Sequence, residues 1–217
     1  MLKIVNSTFI KSAVKKDDYP SLPYSEFAFF GRSNAGKSSL INFILNRKNL
    51  VKVSSTPGKT QSLNFFLIEG EISTKKTEEV VHSSVLQDKS SFVLVDLPGY
   101  GYAKGSKGLI KNIDSMLYEY CTNRKMLKLV FLLIDIRREE LEVEKNILDF
   151  FRSIGVRGII VATKADKIAK TKVKVAIERI KKDLGWQLDD DSGVVLSTST
   201  LKKHGKTELL LLLESMI

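Results

Sequence analysis

The chain has little cysteine, little histidine and no long hydrophobic run, and each shortage excludes a class of protein. Its single cysteine, Cys121, cannot form an internal disulfide, which agrees with a reducing compartment. Its two histidines, His82 and His204, have no sequence neighbours suited to metal binding or general-base catalysis. The longest apolar runs, such as 129–134 and 209–213, are far shorter than the roughly 20 residues that span a bilayer. We expect a cytoplasmic monomer that is not inserted in a membrane.

Charge of one sign is in excess. Lysine and arginine total 35 residues against 25 acidic residues, which gives a net charge of +10. Such a surplus attracts polyanions and speeds encounter with them. The basic residues are spread along the chain, and no single run has the form of a DNA-binding arm. Three explanations stay open at this point: a solvated basic surface, an RNA or ribonucleoprotein partner, and an anionic membrane.

Short apolar runs alternate with helical patterns, which is typical of βα units and a mostly parallel sheet. We predict one doubly wound, three-layer α/β domain. The expected strands, about six, lie at 27–30, 63–68, 92–95, 129–134, 158–162 and 194–196, and helices begin near 37 and span 108–123, 139–153, 170–184 and 204–215.

The predicted domain covers residues 25–217 and has two additions. Residues 1–24 are expected to form an N-terminal extension that packs on the domain. Residues 69–91 are polar and rich in Ser, Thr, Glu and Lys, so they predict an extended hairpin or a mobile insertion. No internal repeat and no linker between folded units is visible.

A glycine-rich stretch between the first predicted strand and its helix fits the phosphate-binding P-loop pattern. Its residues are Gly31, Arg32, Ser33, Asn34, Ala35, Gly36, Lys37 and Ser38, followed by Ser39. Backbone N–H groups of such a turn point at phosphates, and the helix dipole favours negative charge there. We expect Lys37 to reach the β- and γ-phosphates and the Ser38 hydroxyl to ligate Mg²⁺.

A second motif follows the strand predicted at 92–95. It consists of Asp96, Leu97, Pro98 and Gly99. At the carboxyl end of that strand Asp96 can hold Mg²⁺ through water, while the Gly99 N–H can sense the γ-phosphate.

The base of the nucleotide is indicated by a third motif, after the strand predicted at 158–162. It consists of Thr163, Lys164, Ala165 and Asp166. A carboxylate only accepts hydrogen bonds, so Asp166 can receive the ring N–H and the exocyclic amine of guanine, a donor pair that adenine lacks. Lys164 can lay its aliphatic stem across the base, and the backbone N–H groups of Ser197, Thr198 and Ser199 can reach the guanine oxygen. The sequence therefore predicts guanine nucleotide binding.

A GTPase also needs a threonine that ligates Mg²⁺ and contacts the γ-phosphate when GTP is bound. Thr60 is preferred to Thr56, because it lies nearer the following strand and just past the Pro57-Gly58 pair. The surrounding residues assigned to the nucleotide are Gly58, Lys59, Gln61 and Ser62. Ordinary loop threonines are the alternative.

These motifs resemble those of the EngB (YihA/YsxC) GTPases, within the TrmE-Era-EngA-EngB-septin-like class. The resemblance rests on GRSNAGKSS from Gly31, TPGKTQ from Thr56, NFF from Asn64, DLPGYGY from Asp96 and TKAD from Thr163. It implies a P-loop GTPase with Mg²⁺ and GTP or GDP that acts in large ribosomal subunit assembly, with a role in cell division and septation. Two departures are a longer polar insertion and Ser197-Thr198 in place of Ser-Ala or Ser-Ser.

Hydrolysis is expected to be slow, because Tyr100 stands where Ras-like enzymes have a glutamine that orients water. Asn34 matches the asparagine of related potassium-stimulated GTPases, so we hypothesise a K⁺ ion beside the phosphates. The alternative is that Asn34 only stabilises the loop. Arg137 and Arg138 could suggest an arginine finger, but their position favours a solvated or partner-facing pair.

The leading functional hypothesis is a GTP-dependent switch for the precursor of the large ribosomal subunit, its rRNA and its proteins. The alternative is a regulator of division and septation that acts by nucleotide-dependent protein binding with little catalytic role. A nucleotide kinase is disfavoured, because Asp166 would have no role in it and no second substrate site is visible.

Overall fold

The computed structural model describes residues 1–48, 50–51, 62–73, 87–101, 107–185 and 194–217, with the backbone alone at 73, 87–88 and 107–114. Its strands are β1 Leu2–Ala13, β2 Glu26–Gly31, β3 Leu63–Ser73, β4 Gln87–Asp96, β5 Leu127–Asp135, β6 Gly158–Thr163 and β7 Val195–Ser197. Its helices are α1 Lys37–Ile44, α2 Lys107–Asn123, α3 Glu142–Ser153, α4 Lys170–Asp183 and α5 Lys206–Glu214, with 3-10 turns at Lys16–Asp18 and Ala165–Lys167.

The strands form one sheet in the order β1-β3-β4-β2-β5-β6-β7. Five strands that are adjacent in the sheet, β4, β2, β5, β6 and β7, pair in parallel. Strands β1 and β3 are antiparallel to their neighbours. The predicted mostly parallel α/β sheet is therefore confirmed. Because β4, β2, β5, β6 and β7 run in the same direction, the segments that follow them all emerge at the carboxyl ends of the strands.

Two hydrophobic layers cover the two faces of the sheet, because successive strand residues point to opposite sides. In β2, Phe27 and Phe29 pack with α1 and α5, while Ala28 and Phe30 pack with α2, α3 and α4. The apolar run at 209–213 lies in α5, where Leu209, Leu210 and Leu213 are buried. Among the helices that the structure describes, none has the length and apolar character needed to cross a membrane.

The N-terminal segment contributes a strand, which corrects the expectation of about six strands to seven in the described part of the chain. Strand β1 forms a long antiparallel ladder with β3 at the edge of the sheet. Two irregularities, between Ile4 and Asn6 and between Phe9 and Lys11, interrupt that ladder. They break the alternation of buried and exposed residues by which a strand is recognised in a sequence.

The polar segment at 69–91 continues the β3–β4 pairing. The antiparallel ladder runs from Asn64 opposite Asp96 out to Ser73 opposite Gln87. This agrees with the extended hairpin that was one of the two alternatives for this segment. Residues 74–86 lie outside the described residues.

A buried ionic network ties α2 to the first residue of β2. It lies at the amino ends of the parallel strands, opposite the predicted site at their carboxyl ends. The Glu26 carboxylate is fully buried, and Arg124 donates to it from Nε at 2.9 Å and from Nη2 at 2.5 Å. The Tyr120 hydroxyl donates to the same carboxylate at 2.9 Å. Arg124 also donates to the Pro20 carbonyl at 2.6 Å, so this network fixes the end of the N-terminal segment.

Candidate functional site

The predicted motifs meet at the carboxyl ends of four strands. The P-loop follows β2, the Asp96 motif ends β4, the Thr163 motif ends β6, and Ser197 ends β7. Since β4 and β2 are neighbours and β6 and β7 are neighbours, the order of the strands alone brings each pair together. The crevice outside the carboxyl ends of parallel strands is where open α/β sheets bind ligands.

The P-loop makes a tight turn into α1. Asn34 and Gly36 have left-handed backbones, with φ of 69° and 92°, and α1 begins at the next residue, Lys37. Glycine adopts this conformation without cost, and asparagine is among the few other residues that tolerate it. The first N–H groups of α1 are thereby aimed at the crevice, where an anion can accept from them.

Lys37 and Asp96 form a direct ion pair that joins the P-loop to the end of β4. Both are largely shielded from water, with side-chain exposures of 12% and 4%. Gly99 packs tightly on the same loop, because a Cβ on it would lie 3.1 Å from Ser33 N and 3.3 Å from Gly31 O. Leu97 and Pro98, which lie between Asp96 and Gly99 in the chain, are buried. The structure therefore brings the first two predicted motifs into contact.

The Thr163 and Ser197 motifs are joined in the same way. Asp166 accepts a hydrogen bond from the Ser199 hydroxyl at 2.6 Å, and this bond lowers the pKa of the Asp166 carboxyl. The backbone of Thr198 donates to Ala162 O at 2.8 Å and accepts from the Ala165 N–H at 3.0 Å. A carboxylate that is ionised and held in one orientation can accept a pair of donors from a ligand.

Gly205 allows this loop arrangement. It stands at the start of α5 with φ of 85°, and a Cβ there would lie 2.3 Å from the Ser197 carbonyl. A side chain at this position would therefore displace the segment 197–199. The His204 ring lies 3.2 Å from the Ser197 hydroxyl and its backbone pairs with Ser199, so His204 helps to hold this loop in place.

Thr163 connects the two halves of the site. Its hydroxyl lies 2.7 Å from the Ala35 carbonyl of the P-loop and 3.2 Å from the Ile134 carbonyl of β5. Thr163 itself is buried, with 4% of its surface exposed. This side chain therefore anchors the P-loop to β6.

Lys164 is oriented by a carboxylate that sequence reasoning missed. Its Nζ lies 3.1 Å from Asp135 Oδ2 at the end of β5, and its Cε lies 4.0 Å from the position of a Cβ on Gly36. Arg137 also binds Asp135, through Nε at 2.9 Å and Nη2 at 2.6 Å. Partial burial acts to raise the pKa of Asp135, but the hydrogen bonds from Arg137 and Lys164 outweigh it and lower the pKa to about 2. The position of Asp135 at the carboxyl end of a buried strand is the pattern that could have identified it.

The other predicted residues divide into two sets. Ser38 and Ser39 lie half-buried in the first turn of α1, Arg32 and Ser33 are half-buried, and Ser62 precedes β3. Gly58, Lys59, Thr60 and Gln61 lie outside the described residues.

Tyr100 follows Gly99 in the chain. Its side chain extends towards α3 and not towards the crevice where the phosphates are expected. It is buried, and its hydroxyl donates to Glu144 Oε1 of α3 at 3.0 Å. Burial, and then the neighbouring Glu144 carboxylate, raise the pKa of Tyr100 far above its usual value. Because this hydroxyl is buried and already donates to Glu144, it is not free to orient an attacking water. The slow hydrolysis expected from the sequence stays a prediction. Glu144 was not predicted, because it lies in a helical segment that is far along the chain from the P-loop and the Asp96 motif.

A cavity of about 530 Å³ adjoins the P-loop. Its lining is formed by Arg32–Ala35 of the P-loop, 133–135 at the end of β5, 137–140 before α3, Glu144 and Lys164. The cavity therefore shares Arg32–Ala35 and Lys164 with the predicted nucleotide site.

Comparison with known proteins agrees with this geometry. A family model described as 50S ribosome-binding GTPase matches residues 26–164. A relative from Treponema denticola, described as a probable GTP-binding protein EngB, is 48% identical over 218 residues that cover 100% of both chains. The chain belongs to the EngB family of GTP-binding proteins. A second EngB relative, from Alkaliphilus metalliredigens, is 43% identical over 96% of this chain and 89% of its own.

Solved structures agree with the EngB family fold. The crystal structure of a probable GTP-binding protein engB matches with a TM-score of 0.60 and 22% identity, over 85% of this chain and 94% of that chain. Aquifex aeolicus Era bound to GDP and AlF4⁻ matches with a TM-score of 0.57 and 19% identity, over 88% of this chain and 56% of that one. At these identities the likeness concerns the fold. The match to the GTPase family model and membership of the EngB family make this chain a GTP-binding protein and a GTPase.

Proposed function

We propose that this GTPase is a Mg²⁺-dependent switch in the assembly of the large ribosomal subunit. In this proposal it acts as a cytoplasmic monomer and is needed for normal cell division and septation. The observation on which it chiefly rests is the pairing of two halves at one sheet edge: Lys37 with Asp96, and Asp166 with Ser199. The first pair suits a nucleotide's phosphates and the second suits guanine.

In this proposal the predicted residues fall into three sets, and Leu97 and Pro98 join Asp96 to Gly99 beside the phosphates. Phosphates bind at Gly31, Arg32, Ser33, Asn34, Ala35, Gly36, Lys37, Ser38 and Ser39, and at Gly99. The base binds at Thr163, Lys164, Ala165, Asp166, Ser197, Thr198 and Ser199. The segment Gly58, Lys59, Thr60, Gln61 and Ser62 responds to the γ-phosphate, with Thr60 as its Mg²⁺ ligand.

The residues present suit Mg²⁺. Asp96 supplies a buried carboxylate and Ser38 a hydroxyl, and hard cations prefer such oxygen ligands. Mg²⁺ is commonly held by one or two carboxylates together with phosphate oxygens and waters, so few protein ligands are required. When bound, the ion neutralises charge that develops between the β- and γ-phosphates. Lys37 would then share its charge between Asp96 and the phosphates.

Asn34 is the residue that would hold a potassium ion. Asn34 is exposed at the P-loop, where an amide oxygen could ligate K⁺ beside the phosphates. Its φ of 69° is a separate reason for asparagine at this position. We expect GTP hydrolysis to be faster in K⁺ than in Na⁺ buffers, and Asn34→Gly, which keeps the loop conformation, to remove the difference. Equal rates in the two salts, with and without ribosomal particles, would exclude a potassium role.

The ribosomal partner is supported by the net charge of +10 and by the description of the matching family model. We expect the protein to sediment with purified large ribosomal subunits more strongly with a non-hydrolysable GTP analogue than with GDP. Because lysine and arginine would replace counterions on rRNA, binding should weaken steeply between 50 and 200 mM salt, roughly 10- to 1,000-fold.

The matched control for sedimentation is Lys37→Ala, which should lose the nucleotide effect because it lacks the phosphate-binding ammonium. Binding that ignores both nucleotide and salt would count against the ribosomal role. If Lys37→Ala nevertheless supported growth and septation, a division regulator with little catalytic role would become the better explanation.

A further inference from the structure

Tyr100 is held by three different groups around its ring. The Phe30 ring lies 4.9 Å away between centroids, and the Arg32 guanidinium lies 5.9 Å from the ring centroid. At the far end, the hydroxyl donates to Glu144 Oε1 at 3.0 Å. Only 8% of the residue is exposed. The ring therefore has one well-defined position between β2 and α3.

The Tyr100 backbone is part of the P-loop structure. Its N–H donates to Gly31 O at 3.3 Å, and its carbonyl accepts from Ser33 N at 2.9 Å. Gly99, one residue earlier, lies against Ser33 and Gly31 so closely that even a methyl group would crowd them. Tyr100, the residue next to Gly99, is therefore held twice: its backbone is bonded to the P-loop and its side chain is bonded to α3.

Glu144 depends on the tyrosine in turn. It is 1% exposed, and among the side chains that the structure describes the nearest cation is Arg138, whose Nε lies 3.6 Å from Oε1. Within the described residues its Oε2 has no hydrogen-bond partner. A buried carboxylate is costly unless it is hydrogen-bonded, so the bond from the Tyr100 hydroxyl matters to both residues.

We propose that Glu144 is a positioning residue for GTP hydrolysis, acting through Tyr100 to hold Gly99 at the P-loop. It touches no nucleotide itself. Glu144 fixes the ring of Tyr100. The Tyr100 backbone adjoins Gly99, whose N–H is expected to sense the γ-phosphate. This inference rests on the GTPase activity and goes beyond the nucleotide contacts assigned above.

The test compares single-turnover and steady-state kinetics of native protein with Tyr100→Phe, Glu144→Leu, Glu144→Gln and the double variant Tyr100→Phe/Glu144→Leu. Tyr100→Phe keeps the ring and removes only the hydroxyl. It should lower kcat about 10-fold, since misplacing a sensing group acts on the transition state. The KM for GTP and the Kd for GDP should stay within about threefold.

The remaining variants separate positioning from a general structural role. Glu144→Leu should match Tyr100→Phe, and the double variant should be no slower than either single one, because both remove the same bond. Glu144→Gln keeps an acceptor for the tyrosine and should retain most of kcat. Tyr118→Phe is the matched control, since Tyr118 is 58% exposed on α2 and its ring stacks on Phe150.

Several results would overturn the inference. They are a kcat for Tyr100→Phe within twofold of native, losses that multiply in the double variant, and a fall in GDP affinity and melting temperature that parallels kcat. Failure of the proposed guanine site is distinguishable, because native protein would then bind GTP and ATP equally.

Discussion

Replacement of Asp166 by asparagine is expected to exchange guanine for xanthine specificity and to lower GTP affinity by roughly 100- to 10,000-fold. Asp166 can accept from both the ring N–H and the exocyclic amine of guanine, whereas the asparagine amide turns one acceptor into a donor. That donor would face the guanine amine, so two buried donors would oppose each other. Xanthine has a carbonyl at this position and restores a complementary pair.

Asp166→Asn should leave the neighbouring loop intact. The Ser199 hydroxyl donates to Oδ1 of Asp166, and an asparagine can keep this bond while presenting its NH₂ to the base. The loop 197–199 should therefore stay in place, and the loss should concern the base rather than the fold.

The measurement is titration of GTP, GDP, xanthosine triphosphate and ATP in the presence of Mg²⁺, for native and variant protein. Asp149→Asn is the matched control, because that carboxylate is 51% exposed on α3. Native protein that binds ATP as well as GTP, or an Asp166→Asn protein with unchanged affinities, would remove the assignment of guanine recognition to Asp166.

Replacement of Arg124 by alanine is expected to lower the free energy of unfolding by about 3–5 kcal/mol. Glu26 is fully buried and receives two hydrogen bonds from Arg124, so the substitution leaves a buried charge without its cation. The Pro20 carbonyl would lose its donor as well, and this would loosen the N-terminal segment. For a domain of this size the melting temperature should fall by about 10 °C.

Chemical denaturation of Arg124→Ala, Arg152→Ala and Arg124→Met/Glu26→Gln would test this expectation. Arg152→Ala should cost less than about 1 kcal/mol, since Arg152 pairs with Asp149 at the surface and both are about half exposed. The double variant removes the charge together with its partner and should be more stable than Arg124→Ala. If Arg124→Ala and Arg152→Ala lost equal stability, the buried network would not be a main support of the fold.

The pattern of apolar residues predicted the buried strands well and the exposed edge strand poorly. The central strands β2, β5 and β6 are continuous apolar runs, and their predicted positions differ from the observed ones by a few residues. Strand β1 was missed, since it lies at the edge, contains two irregularities and alternates incompletely between buried and exposed residues. Edge strands pack on one neighbour only and therefore constrain their sequence less.

The nucleotide motifs were visible in the sequence because their chemistry demands particular residues at consecutive positions. A turn that wraps a phosphate needs Gly36 with its left-handed backbone, and an acceptor for guanine needs a carboxylate such as Asp166. The sequence did not identify the residues that support the motifs from other elements. Asp135 orients Lys164, and Glu144 holds Tyr100. Thr163 was predicted as part of a motif, but the sequence did not show that its hydroxyl binds the P-loop.

The sequence by itself determined the α/β class, the EngB resemblance and the identity of the motif residues, because these depend on local spacing and on chemistry within a few consecutive positions. Only the tertiary structure decided which side chains support those motifs. Glu144 lies 44 positions from Tyr100, and Thr163 lies 128 positions from Ala35. No local pattern records such contacts, since the order of the strands in the sheet, rather than the order of residues in the chain, brings them together.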